Sequence, residues 1–157
     1  MITDYQATLS GVTTAGVTVG QDLSQAAGTV NSTNIYDLGI ARDIGEGQDL
    51  YIVFTVTEAF TSAGSATLAM NCVVSAADTL TTPTSVGSVG TTALASLTLG
   101  AQFVVRVNLQ VGSLGLRYLG VIYTIATATT TAGTMTAHIV TDIQDGKKFH
   151  ASGFAIT

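Results

Sequence analysis

The sequence predicts an all-β protein folded as an antiparallel β-sandwich. Several segments alternate apolar and polar residues with a period of two, frequent turn residues separate them, and no window carries a sustained helical stripe. The chain also has 27 threonines against 10 acidic and 5 basic residues. Threonine suits the outward face of a sheet because its β-branched side chain fits the pleat. We expect a jelly roll of about eight strands, and periodicity leaves an immunoglobulin-like topology open as the alternative.

The first segment, residues 1–33, is predicted to be an irregular N-terminal arm or a loose hairpin. Residues 10–33 are rich in Gly, Thr, Ser and Ala, and their apolar side chains are scattered singly. Such a composition has weak helix propensity and specifies strand register poorly. We therefore divide the chain into this arm and one jelly-roll domain over residues 34–157, and we expect the order of the arm to depend on a partner.

The strands of the domain follow from the rows of apolar residues. Residues 50–57 have two fairly apolar faces and are predicted to form an interior strand. Residues 102–110 have one polar face and one apolar face. The inward rows of the later strands are predicted to be Phe103, Val105, Val107 and Leu109; Leu119, Val121, Tyr123 and Ile125; and Met135, Ala137 and Ile139, opposite Thr134, Thr136, His138 and Val140. Shorter strands are expected at 34–38, 66–74 and 93–97.

The surface of this protein should be poor in charge. Charged residues make up 10% of the chain and hydrophobic residues 46%, whereas soluble domains carry roughly 25% charged residues. We expect identical subunits, as a homo-dimer or a homo-trimer, or a larger partner to cover much of such a surface. The 5 basic residues and the net charge of −5 argue against a nucleic-acid partner. The longest largely apolar stretch, 119–128, is too short for a membrane helix of about 20 residues, so no membrane partner is expected either.

Four pieces of the chain resemble one family in their order. They are residues 34–45 with 50–53, residues 59–68, residues 117–119 and residues 130–137. Together they resemble the capsid cement (decoration) proteins of short-tailed bacteriophages. The resemblance implies a jelly roll made in the host cytoplasm and placed on the outer surface of the virion. There, oligomers bridge neighbouring copies of the major capsid protein in an HK97-type shell. The segment up to Thr33 is longer than the short lead-in of the family.

The candidate residues for contact with a partner are charged or aromatic. Arg42 and Asp43 lie in a glycine-rich segment, where the alternative is a strand-ending turn with Arg42 paired to a carboxylate. Arg117 is a candidate to cross a subunit boundary, with a solvated strand end as the alternative. The tail has basic and aromatic side chains that are candidates to clamp a neighbouring subunit, and the alternative is that the tail forms the last strand of the sandwich. These residues are Lys147, Lys148, Phe149 and Phe154.

Catalysis is not expected from this sequence, and neither is a cofactor or a metal. His138 and His150 are the only imidazoles and have no metal-ligand spacing, while the serines lack the G-x-S-x-G pattern. Cys72 is the only cysteine, which excludes an internal disulfide, and its apolar neighbours predict a buried small side chain. The alternative function is a carbohydrate- or receptor-binding sandwich of a phage tail or fibre. That reading is weakened by the absence of Trp from the sequence.

Overall fold

The computed structural model describes residues 5–14, 17–41, 49–107, 115–141 and 143. Twelve strands are found in this part of the chain, together with two short 3-10 helices, Tyr5–Ala7 and Leu94–Ser96. In chain order the strands are β1 (Thr8–Ser10), β2 (Val12–Thr14), β3 (Val17–Val19), β4 (Gln21–Asp22), β5 (Gly28–Asn31), β6 (Tyr36–Asp37), β7 (Leu50–Ser62), β8 (Thr67–Ser75), β9 (Thr84–Ala93), β10 (Gln102–Val107), β11 (Tyr118–Ala126) and β12 (Thr130–Val140).

Eight of these strands build two packed antiparallel sheets. The first sheet has the order β1-β12-β7-β10 and the second the order β5-β11-β8-β9. Numbering the eight strands along the chain gives 1-8-3-6 and 2-7-4-5, the interleaved order of a jelly roll. The predicted all-β sandwich with a jelly-roll topology is therefore confirmed. The short strands β4 and β6 add to β12 and β11, and β2 pairs with β3 in a separate hairpin.

The core lies between the two sheets and comes from the predicted inward rows. Leu119, Val121, Tyr123 and Ile125 of β11 are all buried, as the alternation predicts. The Tyr123 ring packs edge-on against Phe54 of β7, with 6.3 Å between the ring centroids and 81° between the planes. The Tyr123 hydroxyl donates to Ser10 Oγ at 2.7 Å, which satisfies both buried oxygens.

The first 31 residues contribute strands to both sheets. β1 and β4 pair with β12 of the first sheet, and β5 pairs with β11 of the second. Leu9 and Leu23 are buried in the same core as the later strands. β2 and β3 form the one hairpin of this segment within the described residues, and Val17 and Val19 on it are exposed. The boundary between arm and domain at residue 34 stays a prediction.

Two short segments differ from the predicted strands. The predicted strand at 93–97 is wrong, because β9 ends at Ala93 and Leu94–Ser96 form a 3-10 turn. The strand predicted at 34–38 is reduced to Tyr36–Asp37. Its first residue, Asn34, leaves the sheet because its backbone N–H donates to Leu9 O at 2.8 Å and its side chain donates to Thr8 O at 3.1 Å.

β-bulges explain why the sequence did not reveal β9. The pairing of β8 with β9 shifts register twice, between Met70 and Asn71 and between Cys72 and Val73. Each bulge places an extra residue in β9, so Val86 and Val89 both pack against the core although they are three residues apart. This spacing does not fit the period of two, so alternation alone does not predict β9.

Candidate functional site

Of the residues predicted to contact a partner, the structure describes one, Arg117. The other candidates lie outside the described residues: Arg42, Asp43, Lys147, Lys148, Phe149 and Phe154. The predicted inward residue Leu109 and the second histidine, His150, are outside them as well. The site is therefore built from what surrounds Arg117 and from the rest of the described surface.

Arg117 forms a two-point ion pair with Asp37, next to the start of β11. Its Nε and Nη2 atoms each donate to one oxygen of the Asp37 carboxylate at 2.6 Å. The backbone orients the pair, because β6 aligns Asp37 with Tyr118 and the Leu38 N–H donates to the Arg117 carbonyl at 3.0 Å. The guanidinium carbon also lies 5.2 Å from the centroid of the Tyr118 ring. Arg117 is thus a paired strand-end residue within its own chain, and its side chain remains 43% exposed.

The ion pair shifts the acidity of both partners. Hydrogen bonds from Arg117, and then from the Gly39 N–H, hold the pKa of Asp37 at about 2. The same pairing raises the pKa of Arg117. Because both groups are exposed, this pair is a weak source of stability. The fixed geometry of the ion pair orients the turn from Asp37 to Gly39, in which the Gly39 N–H donates to Asp37 Oδ1 at 2.8 Å.

A second ion pair, Arg106 with Asp49, was missed by the sequence analysis. Arg106 lies opposite Tyr51 across β10 and β7, which brings it beside Asp49. The Tyr51 hydroxyl donates to Asp49 Oδ2 at 3.1 Å, and this hydrogen bond raises the pKa of Tyr51. The two partners are 57 residues apart in sequence, so only the register of β7 with β10 reveals that they are neighbours.

Both ion pairs lie at the same end of the sandwich, which we call the charged end. β7 begins at this end, at Leu50. The turn after β11 leads into β12 at Thr130, which pairs with Ser62 at the far end of β7. β11 therefore also begins at the charged end, at Tyr118. Asp78 follows β8 at this end too. Five of the seven charged residues that the structure describes are found here: Asp37, Asp49, Asp78, Arg106 and Arg117.

The opposite end, which we call the neutral end, consists of the loops 63–66 and 127–129. The segment 94–101 leaves this end and runs along β7, where it bonds first to Phe60 and then to Val56 in the middle of that strand. None of these segments contains Asp, Glu, Lys or Arg. The two remaining charged residues that the structure describes, Asp22 and Glu58, both align with Thr134 of β12, one on each side of that strand. The loop 127–129 is bonded to the end of β7, since Ser62 Oγ donates to the Thr129 carbonyl at 2.7 Å. Thr61 and Thr131 join their hydroxyls beside them at 2.8 Å. The neutral end therefore has a fixed shape without any ion pair in its loops.

Leu99 is the most exposed large hydrophobic side chain among the described residues, at 70%. It lies at the tip of a tight turn closed by a hydrogen bond from the Ala101 N–H to the Thr98 carbonyl at 2.9 Å. Two further bonds fix this turn to β7, from the Gly100 N–H to the Val56 carbonyl and from the Val56 N–H to the Ala101 carbonyl, each 2.9 Å long. Glu58 is an exposed residue of the same stretch of β7. Leu99 is thus an apolar side chain held outward on a rigid support.

His138 was predicted to lie on an outward face and is buried instead. Thr136 beside it is buried too, because the segment at Gly11 crosses over this face of β12. The His138 Nδ1 atom is 3.1 Å from Thr8 Oγ1 of β1. Burial lowers the pKa of His138, so the folded protein favours the neutral ring.

The buried histidine predicts that the protein loses stability in mild acid. In the unfolded chain a histidine has a pKa of about 6.5, so the unfolded state takes up the proton first as the pH falls. The stabilising contribution is complete above about pH 6.5 and is lost as the pH falls toward the lowered pKa of the folded state. We expect thermal melting to show a lower Tm at about pH 5.5 than at about pH 7.5, and His138→Gln to reduce this difference. An unchanged difference in the variant would assign the pH dependence to other groups.

The remaining reactive groups of the described chain are few. Cys72 is fully buried, as predicted, and burial raises the pKa of its thiol to about 12. No three His, Cys, Asp or Glu side chains converge within the described ranges in a way that would hold a metal ion. Over the same residues, no helix has the length and apolar character needed to cross a membrane.

The two packed antiparallel sheets with this strand order define the chain as a jelly-roll β-sandwich protein. Within that class it belongs to the Bbp16 family, whose model matches residues 17–139. The family name points to a phage of Bordetella. The match covers nearly all of the described sandwich, from β3 to the penultimate residue of β12. No curated protein matches the chain.

Proposed function

We propose that this protein is a structural virion protein that acts as a capsid cement. In this proposal it binds the outside of an HK97-type capsid and bridges neighbouring copies of the major capsid protein. The observation that carries the proposal is the membership of the Bbp16 family over residues 17–139, read together with the resemblance of the sequence to phage decoration proteins.

The described surface supports a role in contact rather than in chemistry. Its two arginines are each paired with a carboxylate of the same chain, and its cysteine is buried with a raised pKa. Threonine and serine hydroxyls instead pair with one another or with backbone carbonyls, as in the 2.7 Å contact between Thr57 and Thr134. Hydroxyl groups interact well with water, and those that keep a hydrogen bond within the chain cost little free energy to desolvate when a partner covers them. We therefore propose that the protein is not an enzyme and needs no cofactor.

The proposed mechanism is the addition of many small contacts. A specific interface buries about 800 Å² on each partner. A protein that binds only the intact shell stabilises it by mass action, and the effect adds up over many bound copies. A homo-dimer or homo-trimer would place two or three such contacts across the boundary between neighbouring capsid subunits.

Heating filled capsids tests this function. Capsids of the phage that encodes this chain would be stripped of the protein, and half of them supplied with it again. We expect packaged DNA to be released at a higher temperature from the resupplied capsids than from the stripped ones, as measured by the fluorescence of a DNA-binding dye. Equal release temperatures would contradict a cement function.

A further inference from the structure

We propose that the β2–β3 hairpin joins two copies of this chain, with β3 of one copy pairing antiparallel to β3 of the other. The inference rests on the proposed function, from which it takes the homo-oligomer, and it adds the surface between the copies. Within the described residues, the two strands of the hairpin pair with each other in a regular register and form a sheet of their own.

The hairpin is an excursion from one edge strand of the first sheet. β1 pairs with β12 as far as Ala137, and β4 continues along the same edge of β12 from Met135. β1 and β4 therefore act as one edge strand that the hairpin interrupts between Gly11 and Gly20. A Cβ atom on Gly11 would lie 2.6 Å from the Val19 carbonyl oxygen, so the absence of a side chain lets the two strands leave the sheet side by side.

One face of the hairpin is apolar and exposed. Val12 lies opposite Val19, and Val17 points to the same side because it is two residues from Val19. These valines are 44%, 58% and 63% exposed, in the order Val12, Val19 and Val17, and none of them belongs to the core. The stability of the sandwich therefore does not explain them. They are half of the six exposed large hydrophobic residues that the structure describes, which indicates a contact with another protein.

The other sheet edges of the described sandwich are protected against pairing with a second chain. β1, β4, β5 and β6 are edge strands of only two to four residues. β9 carries two bulges, and it lies against β10, since a Cβ atom on Gly87 would be 2.5 Å from Val105 Cγ1. The hairpin has no such protection, because its register is regular and residues 5–21 contain no charged residue and no proline.

The occupant that fits this edge is the same strand of a second copy. β3 reads Val-Thr-Val, so an antiparallel pair centred on Thr18 places each Val17 opposite the Val19 of the other copy. The valines of both hairpins then line one face of a four-stranded sheet, which is more stable than a two-stranded one. The contact brings no like charges together, whereas a nucleic acid or an anionic lipid would need basic residues that residues 5–21 lack.

The test compares Thr18→Lys with Thr91→Lys in the purified protein. Both threonines are exposed strand residues, but Thr91 lies on β9. Both variants should melt within about 2 °C of the wild type, because both positions are exposed. Thr18→Lys places two ammonium groups opposite each other, so we expect the Kd of the dimer to rise roughly 10-fold or more. Thr91→Lys should change it by less than about 2-fold. Sedimentation equilibrium up to about 100 μM protein measures both constants.

A cysteine cross-link tests the register of the contact. Directly opposed residues of antiparallel strands have Cα atoms about 4.5–5.5 Å apart, which a disulfide spans. Thr18→Cys should therefore form a disulfide-linked dimer when the protein is treated with oxidised glutathione, as measured on a non-reducing gel. Thr91→Cys should stay uncrosslinked. The native Cys72 is buried and does not compete.

The outcomes separate this inference from the function on which it rests. A wild-type protein that stays monomeric over this concentration range would overturn the inference and leave the cement function standing, because single copies can still bind a capsid. An oligomer that Thr18→Lys does not weaken and Thr18→Cys does not cross-link would overturn it too. If the wild type is monomeric and Thr18→Lys abolishes co-sedimentation with stripped capsids, the hairpin docks on the shell and the inference is wrong. A cross-linked dimer, with equal DNA release from stripped and resupplied capsids, would contradict the cement function alone.

Discussion

Replacing Leu23 by alanine should lower the free energy of unfolding by about 3 kcal/mol. Leu23 has no exposed surface and belongs to the core between the sheets. Its backbone is also bound, since its N–H donates to the Gly133 carbonyl at 3.0 Å and its own carbonyl accepts from the Thr130 hydroxyl. These bonds prevent the chain from collapsing into the space that the shorter side chain leaves. For a chain of this length we expect the Tm to fall by roughly 6 to 12 °C, measured by circular dichroism.

Val17→Ala is the matched control for Leu23→Ala. It removes methyl groups from the same N-terminal segment, but Val17 is 63% exposed on the β2–β3 hairpin. Its Tm should stay within about 2 °C of the wild type. If Leu23→Ala were as harmless as Val17→Ala, the N-terminal segment would not be part of the folded core.

Gly133→Ala should destabilise the protein by about 2 to 4 kcal/mol. Gly133 lies in β12 against the ring of Phe60, and a Cβ atom there would be 2.3 Å from Phe60 Cδ1. Phe60 is buried and has little room to withdraw. The backbone adds strain, because Gly133 has a φ of +140°, which residues with side chains rarely adopt. Urea unfolding followed by fluorescence or circular dichroism measures the loss.

Two further variants separate the clash from the backbone strain. Gly39→Ala also places a side chain at positive φ, +78°, but no atom lies within 4 Å of the new Cβ. It should cost only about 1 kcal/mol. Phe60→Leu in the Gly133→Ala background should destabilise less than the sum of the two single changes, because the leucine relieves the contact. A cost for Gly133→Ala no larger than that for Gly39→Ala would show that the ring is not in the way.

The sequence predicted the parts of the fold in which each strand keeps its period of two. β11 is the clearest example, since all four of its predicted inward residues are buried. β7 departs from the period where it pairs with β12, because register shifts near Thr134 turn Glu58 outward between Val56 and Phe60. The missed strand β9 has the same cause. A bulge is decided by the pairing of two strands, and one strand alone does not encode it.

The N-terminal segment shows a second limit of the sequence. Leu9 and Leu23 are isolated apolar residues among small and polar ones, so no periodic row pointed to their burial. They are held by contacts with β12, more than a hundred residues away, such as the 3.0 Å bond from the Gln25 N–H to Thr130 Oγ1. A segment with so weak a pattern takes a defined strand register only when it pairs with the rest of the sandwich.

The candidate interface was predictable in composition but not in place. The low charge predicted a surface that a partner covers, but Arg117, which was predicted to contact a partner, is bound to Asp37 of its own chain. The separation into a charged and a neutral end became visible only with the strand order, because the segments that form each end lie far apart in sequence. Leu99 was overlooked since a single leucine in a small-residue loop carries no pattern.

The most direct test of the cement function is the composition of the virion itself. Particles of the phage that encodes this chain would be purified on a density gradient and their proteins quantified by mass spectrometry. The account predicts that this protein sediments with intact particles, in a fixed ratio to the major capsid protein, and that protease added outside the particles removes it. Absence of the chain from particles that contain the full set of capsid subunits would contradict the account.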